Sequence, residues 1–144
     1  MAGPLGDVEP GPYPGSMRDI EVVQAIYAAM AARDLAALVE LIDPSIVVTQ
    51  DERLPWGGRF EGHEGFADFA GKLTGTITSA VTTEAMFEAD GDVVQVGHTR
   101  GTVNATGAEF DIAEVHRWTI RDGRAVRAHM SIDTPGMLEA LGSS

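Results

Sequence analysis

The stretch ITSAVTTEAMFEADGD, residues 77–92, is where the periodicity of this chain changes, and the reading of the fold turns on it. Upstream, apolar residues recur every three or four positions, as on helices; from Ile77 onward the pattern is that of a strand. Read as a regular strand, the run puts Ile77, Val81, Ala85 and Phe87 on one face. Three further strands are cut out by the turn signals ADGD (89–92), NATG (104–107) and RDG (121–123), the last of them being RAVRAHMSID over 124–133. Connections this short predict an antiparallel meander.

Working outward toward the N-terminus, the helical region has its own punctuation. Ser16 with Asp19 three residues later forms a capping box for a first helix over about 17–32, with Ile20, Val23, Tyr27 and Met30 at helical spacing. Asp34 caps a second, short helix that buries Leu35, Leu38, Val39 and Ile42. SIVVTQD (45–51) is β-branched and reads as a strand, and ERLPWGGRFEG (52–62) as a loop. Phe66, Phe69 and Leu73 mark a third helix over about 63–74, and Thr134 followed by Pro135 starts a final short one. Helices first and strands afterwards predict an α+β fold rather than alternating α/β.

Bulk properties narrow the function. A chain of 144 residues makes one domain, here 17–144, preceded by a Gly/Pro-rich leader, MAGPLGDVEPGPYPGS, over 1–16 that is expected to be flexible. The leader has neither the basic start nor the apolar core of a secretory signal, so a cytoplasmic protein is expected. Ten basic residues against 22 acidic ones, a formal charge of −12, argue against nucleic acid and against an anionic membrane surface. No cysteine is present, which removes disulfides and thiolate chemistry. The four histidines show no metal-ligand spacing, and no phosphate loop, nucleotide fingerprint or nucleophile elbow occurs, so neither metal nor cofactor is expected.

Within the meander, FDIAEVH (110–116) sets Asp111, Glu114 and His116 among residues that should pack. Asp111 and His116 differ in parity, so a regular strand cannot turn both toward one cavity; His116 shares its face with Ile112, Glu114, Trp118 and Ile120. Either Asp111 is a pocket acid or it lies on a wet face. His116, with an ordinary pKa near neutrality, suits acid or base work if it faces the cavity. Asp133 closes the last strand, where a turn or capping role competes with a chemical one.

The segments IYAAMAARDLAALVELIDPSIVV (26–48), LPWGGRFEGHEGFADFAGKL (54–73) and VHRWTIRDGRAVRAHMSID followed by TPGMLEAL (115–141) together resemble the SnoaL-like branch of the nuclear transport factor two-like superfamily, alongside ketosteroid isomerase. The resemblance implies a cone-shaped barrel, a curved and mainly antiparallel sheet wrapped around a long N-terminal helix, with a pocket between them and a homodimer as the usual assembly. Laid along the segment Val115-His116-Arg117-Trp118, ketosteroid isomerase places its neutral, hydrogen-bond-donating aspartate on Asp111. Its general base falls near Gln50, which cannot accept a proton, and its tyrosine near Ile26, one residue before Tyr27. The cyclase branch has a late carboxylate near a histidine, for which Asp133 and His116 are the candidates.

The expected catalytic residues are therefore Asp111, His116, Asp133 and Tyr27. Gln50, Trp56, Phe69, Phe87, Trp118 and Met130 are the candidate contacts to an apolar small-molecule ligand. Two functions stay open. One is acid/base proton transfer on an apolar carbonyl or ring substrate, of isomerase, cyclase or hydratase type; the other is non-catalytic binding of an apolar ligand, or dimerisation, by the same fold.

Overall fold

A computed structural model describes residues 18–142; the expected leader and the Ser16 cap lie outside the described residues. In chain order the elements are α1 (Asp19–Ala32), α2 (Leu35–Leu41), β1 (Ile42–Gln50), β2 (Gly58–Glu61), α3 (Gly62–Thr76), β3 (Ile77–Ala89), β4 (Asp92–Val103), β5 (Glu109–Arg121), β6 (Arg124–Ile132) and α4 (Thr134–Ala140). The six strands form one curved, unclosed sheet in the order β2-β1-β6-β5-β4-β3, in which only the β1–β6 pair is parallel. This is the expected α+β cone, with α1 packed against strands β3 to β6.

Helix α1 starts where the Glu21 carboxylate accepts the Arg18 backbone N–H at 3.0 Å, satisfying a donor outside the helix. It ends where Arg33 turns left-handed at φ 56°. Its buried stripe is Val22, Val23, Ile26 and Ala29, so Tyr27 stands at the edge of the packed face rather than at its centre. Val22, Val23 and Ile26 are fully buried, each worth about 1.5–3 kcal/mol of transfer free energy. In α2 only Leu38 is buried; Leu35 and Val39 face solvent, because a two-turn helix has just one side against the sheet.

Three strand details depart from the sequence reading. GRFE (58–61), read as loop, is the edge strand β2, and it pairs with Val47–Gln50. In β3, an extra residue at Glu84 breaks the alternation between Thr83 and Ala85. Val81 and Phe87 therefore face opposite sides of the sheet instead of sharing one. At α4 the cap is Asp133 rather than Thr134: its carboxylate accepts the Gly136 N–H at 3.1 Å, and Pro135 takes the second helical position.

Candidate functional site

Strand β5 decides what the concave face of the sheet presents to α1. Its pairing with β4 runs without interruption from Glu109 to Trp118, so alternation is strict. Phe110, Ile112, Glu114, His116, Trp118 and Ile120 are buried on the concave side, while Asp111, Ala113, Val115 and Arg117 are exposed on the other. Among the concave residues Glu114 and His116 are the two that titrate. His116 stands opposite Gln95 of β4 and Met130 of β6, and Met130 stands opposite Gln50 of β1. Glu114 stands opposite Gly97 and Ile132.

Gly97 leaves no room for a side chain: a Cβ there would sit 1.9 Å from the Thr82 carbonyl oxygen. As Gly97 is the β4 residue paired with Glu114, no side chain stands beside the carboxyl at that position.

Tyr27 descends from α1 into this row. The Trp118 indole N–H donates to the Tyr27 hydroxyl at 3.0 Å, and that hydroxyl lies 2.6 Å from His116 Nδ1 and 3.5 Å from Gln95 Oε1. Having accepted the indole proton, the hydroxyl gives its own to the nearer acceptor, His116 Nδ1. His116 then carries its N–H on Nε2, which faces Glu114 Oε1 at 3.5 Å without a hydrogen bond; that oxygen accepts the Thr99 hydroxyl at 3.2 Å. The Gln95 amide N–H donates to Thr83 Oγ1 at 2.9 Å, so its oxygen stays turned to Tyr27. Trp118, Tyr27 and His116 form a directed hydrogen-bond chain within an apolar shell, and it ends facing the Glu114 carboxyl. The Tyr27 and His116 rings are stacked, and Trp118 meets Tyr27 edge-on.

Burial sets the charge states along this chain. Desolvation pushes the Glu114 carboxyl up to about 7, against the opposing hydrogen bond from Thr99. Desolvation lowers His116 to about 3, so the imidazole is neutral at physiological pH and no full ion pair forms with Glu114. The Tyr27 phenol is raised well above its ordinary value by burial, only partly offset by the Trp118 hydrogen bond. Two buried polar atoms on this face have no hydrogen-bond partner: Glu114 Oε2 and Gln50 Nε2.

Of the residues picked out from sequence, Tyr27, His116, Trp118, Met130 and Gln50 come together here. Asp111 does not. It lies on the outer face with its side chain 51% exposed, bonded to His98 Nδ1 at 2.6 Å and to Arg100 Nε at 2.9 Å. The His98 hydrogen bond and the Arg100 charge hold its carboxyl below the usual range, the opposite of a neutral proton donor. Phe87 is also on the outer face, 46% exposed, because the Glu84 bulge reverses the face of β3. Asp133 caps α4. Trp56 is buried in the core, and so is Phe69, which packs edge-on against Phe60 with 5.6 Å between ring centroids.

Glu114, Gln95 and Thr99 were not among the expected site residues. The signal for Glu114 was present: it is the one carboxylate in the apolar-face series Ile112, Glu114, His116, Trp118.

Comparison with known proteins bears on the same architecture. An NTF2-like protein of unknown function from Burkholderia pseudomallei is 25% identical, with 88% of this chain and 100% of that chain covered at a TM-score of 0.79. TerC, co-crystallised with polyporic acid, is 25% identical over 87% of this chain and 98% of its own, TM-score 0.77. A Bacillus subtilis protein named as a candidate isomerase is 25% identical over 88% and 94%, TM-score 0.72. No curated protein matches by sequence. The model of the SnoaL-like domain matches residues 23–128, well over half of the chain. The chain therefore belongs to the SnoaL-like domain family, in the NTF2-like superfamily that also holds ketosteroid isomerase.

Proposed function

We propose that this protein is an acid/base enzyme that moves a proton on a small, mostly apolar carbonyl or ring substrate held between α1 and the concave face of the sheet. One observation carries the reading. A buried carboxyl, Glu114, is held near neutrality in pKa, with one oxygen engaged by Thr99 and facing His116 and the other left without a protein partner. A group of that pKa is present in both protonation states at physiological pH, which acid/base catalysis requires. His116 and Tyr27 support it: the neutral imidazole, its Nδ1 bonded to the phenol, turns its Nε2 edge toward the carboxyl without placing a buried cation beside it, so Glu114 remains the group that moves the proton. The small-molecule ligand of TerC and the isomerase name of the Bacillus subtilis protein agree with a reaction of isomerase, cyclase or hydratase type.

The test is a carbon-detected NMR titration of Glu114, with Glu114→Gln as assignment control, run beside α-deuterium exchange of cyclic ketones and enones in D2O. A Glu114 midpoint near 7 together with exchange that Glu114→Gln abolishes is the expected result. A midpoint near the ordinary 4.5, with no exchange above background, sinks the reading.

A separate observation supports self-association. On the outer face, Phe87 and Val115 are 46% and 44% exposed and flank Val94 and Val96 on the intervening strand. We infer that this apolar strip joins two copies of the chain as a homodimer.

A further inference from the structure

Gln50 is 6% exposed and its amide nitrogen has no partner, although buried amides are almost always paired. It shares the concave face with Glu114, itself 2% exposed, whose Oε2 is the other orphan. The pairing places them two strands apart in the sheet, Gln50 to Met130 to His116, with Glu114 two residues along β5 from His116. From ordinary sheet spacing their Cα atoms are roughly 12 Å apart. Leaning toward each other, side chains of this length can close about a third of that interval. What is left is the span of an α-carbon and its carbonyl oxygen, with contacts of about 3 Å at each end. Between the two polar ends the floor is apolar, supplied by Met130 and Ile132 of β6.

An unsatisfied buried donor and an unsatisfied buried carboxyl oxygen each destabilise the free protein. A ligand that answers both at once removes both penalties. We propose that Gln50 is the hydrogen-bond donor for the substrate's carbonyl oxygen, so that the site takes cyclic ketones whose acidic α-C–H faces Glu114. This rests on Glu114 as the proton-transfer group. In the step, the Glu114 carboxylate takes the α-proton, the C–H electron pair becomes the C=C bond of the enolate, and the charge moves to the oxygen that Gln50 holds. Returning the proton from Glu114 to carbon regenerates the carboxylate. Gln50 cannot act as the base; as the donor to the developing oxyanion it has a part that an amide fills well.

The experiment compares wild type, Gln50→Met and Glu114→Gln with 2-tetralone and with the hydrocarbon tetralin, which lacks the oxygen. Binding is followed by calorimetry, α-exchange in D2O by proton NMR, and the ligand-free unfolding midpoint by circular dichroism. Gln50→Met is expected to weaken 2-tetralone binding on the order of tenfold. It should leave tetralin binding within about twofold and slow α-exchange by more than about tenfold. It should also raise the ligand-free midpoint, since an apolar side chain of similar length removes an orphan donor.

No binding of 2-tetralone to wild type at millimolar concentration overturns the proposal, as does an equal loss for both ligands in Gln50→Met. Exchange that Glu114→Gln abolishes and Gln50→Met leaves intact overturns the role of Gln50 and keeps proton transfer by Glu114. Gln50-dependent binding of the ketone without exchange does the reverse, supporting carbonyl recognition while removing the catalytic reading. Gln50→Leu asks the same question if the methionine variant does not fold.

Discussion

The Tyr27 hydroxyl, on the helix, lies 2.6 Å from Nδ1 of His116 on the sheet, and this contact ties the two layers together through polar atoms inside an apolar interface. Because Trp118 donates to the same hydroxyl, removing it leaves a buried indole N–H and an imidazole nitrogen unpaired at once. Tyr27→Phe keeps the ring and loses only the oxygen. We expect a loss of about 1–3 kcal/mol in urea-induced unfolding, far more than an exposed Tyr→Phe change. Unchanged stability would show that the hydroxyl is not bonded as described.

Stability should depend on pH in a way set by Glu114 and His116. His116, lowered from 6.5 to about 3, stays neutral in the fold while the unfolded chain takes a proton; its contribution is complete above pH 6.5 and is lost as pH falls toward 3. Glu114, raised from 4.5 to about 7, has the opposite sign: its contribution is complete below pH 4.5 and is lost as pH rises through 7. Between about 4.5 and 6.5 the native state holds the Glu114 proton while the unfolded state holds the His116 proton, so the two slopes cancel and a plateau results. Chemical denaturation against pH should show Glu114→Gln losing the short alkaline limb above about pH 6.5 and replacing the plateau with a rise in stability that continues up to pH 6.5, the His116 slope now uncancelled.

Asp111→Asn should leave proton transfer unchanged, because Asp111 points away from the concave face and is bonded to His98 and Arg100. A fall in α-exchange of more than about tenfold would contradict that placement. Asp133→Ala should likewise spare exchange, and cost about 1 kcal/mol of stability through the lost α4 cap.

Gly97→Ala should be damaging without touching any polar group. Its added Cβ would meet the Thr82 carbonyl oxygen at 1.9 Å, a backbone atom that cannot turn aside, so the β3–β4 pairing must shift under Glu114. A destabilisation of about 1–3 kcal/mol by thermal unfolding is expected, accompanied by a lower Glu114 pKa as water reaches the carboxyl.

The double variant Phe87→Asp, Val115→Asp should sediment as a monomer at concentrations where wild type is dimeric, with unaltered circular dichroism, since both residues are exposed in the single chain. A monomeric wild type in analytical ultracentrifugation removes the dimer from consideration.

Much of the architecture was legible because periodicity and turn chemistry are local properties. The change of period at Ile77, the turns at Asp90-Gly91, Asn104 to Gly107 and Asp122-Gly123, and the caps at Asp34 and near Thr134 all rest on residues within a few positions of each other. Even the opposite facing of Asp111 and His116 followed from strand parity and was realised once β5 proved unbroken. The short strand at Gly58–Glu61 escaped because it exists only by pairing with Val47–Gln50, and Gly58 with the flanking Gly57 and Gly62 speaks against it locally.

Tertiary structure alone decided the site. Strand parity put Glu114 and His116 on one face, but which face α1 would cover depends on how the sheet curves. The Glu84 bulge, invisible to alternation, sent Phe87 outward and left Thr83 to meet Gln95. A carboxyl becomes an acid/base group of near-neutral pKa only through desolvation by residues distant in sequence, here a helix some 90 positions upstream and the strands on either side. The sequence by itself determined the elements and their order, because those come from local backbone preference and hydrophobic period. The charge states and the two unpaired polar atoms came from packing between elements, a property no single segment carries.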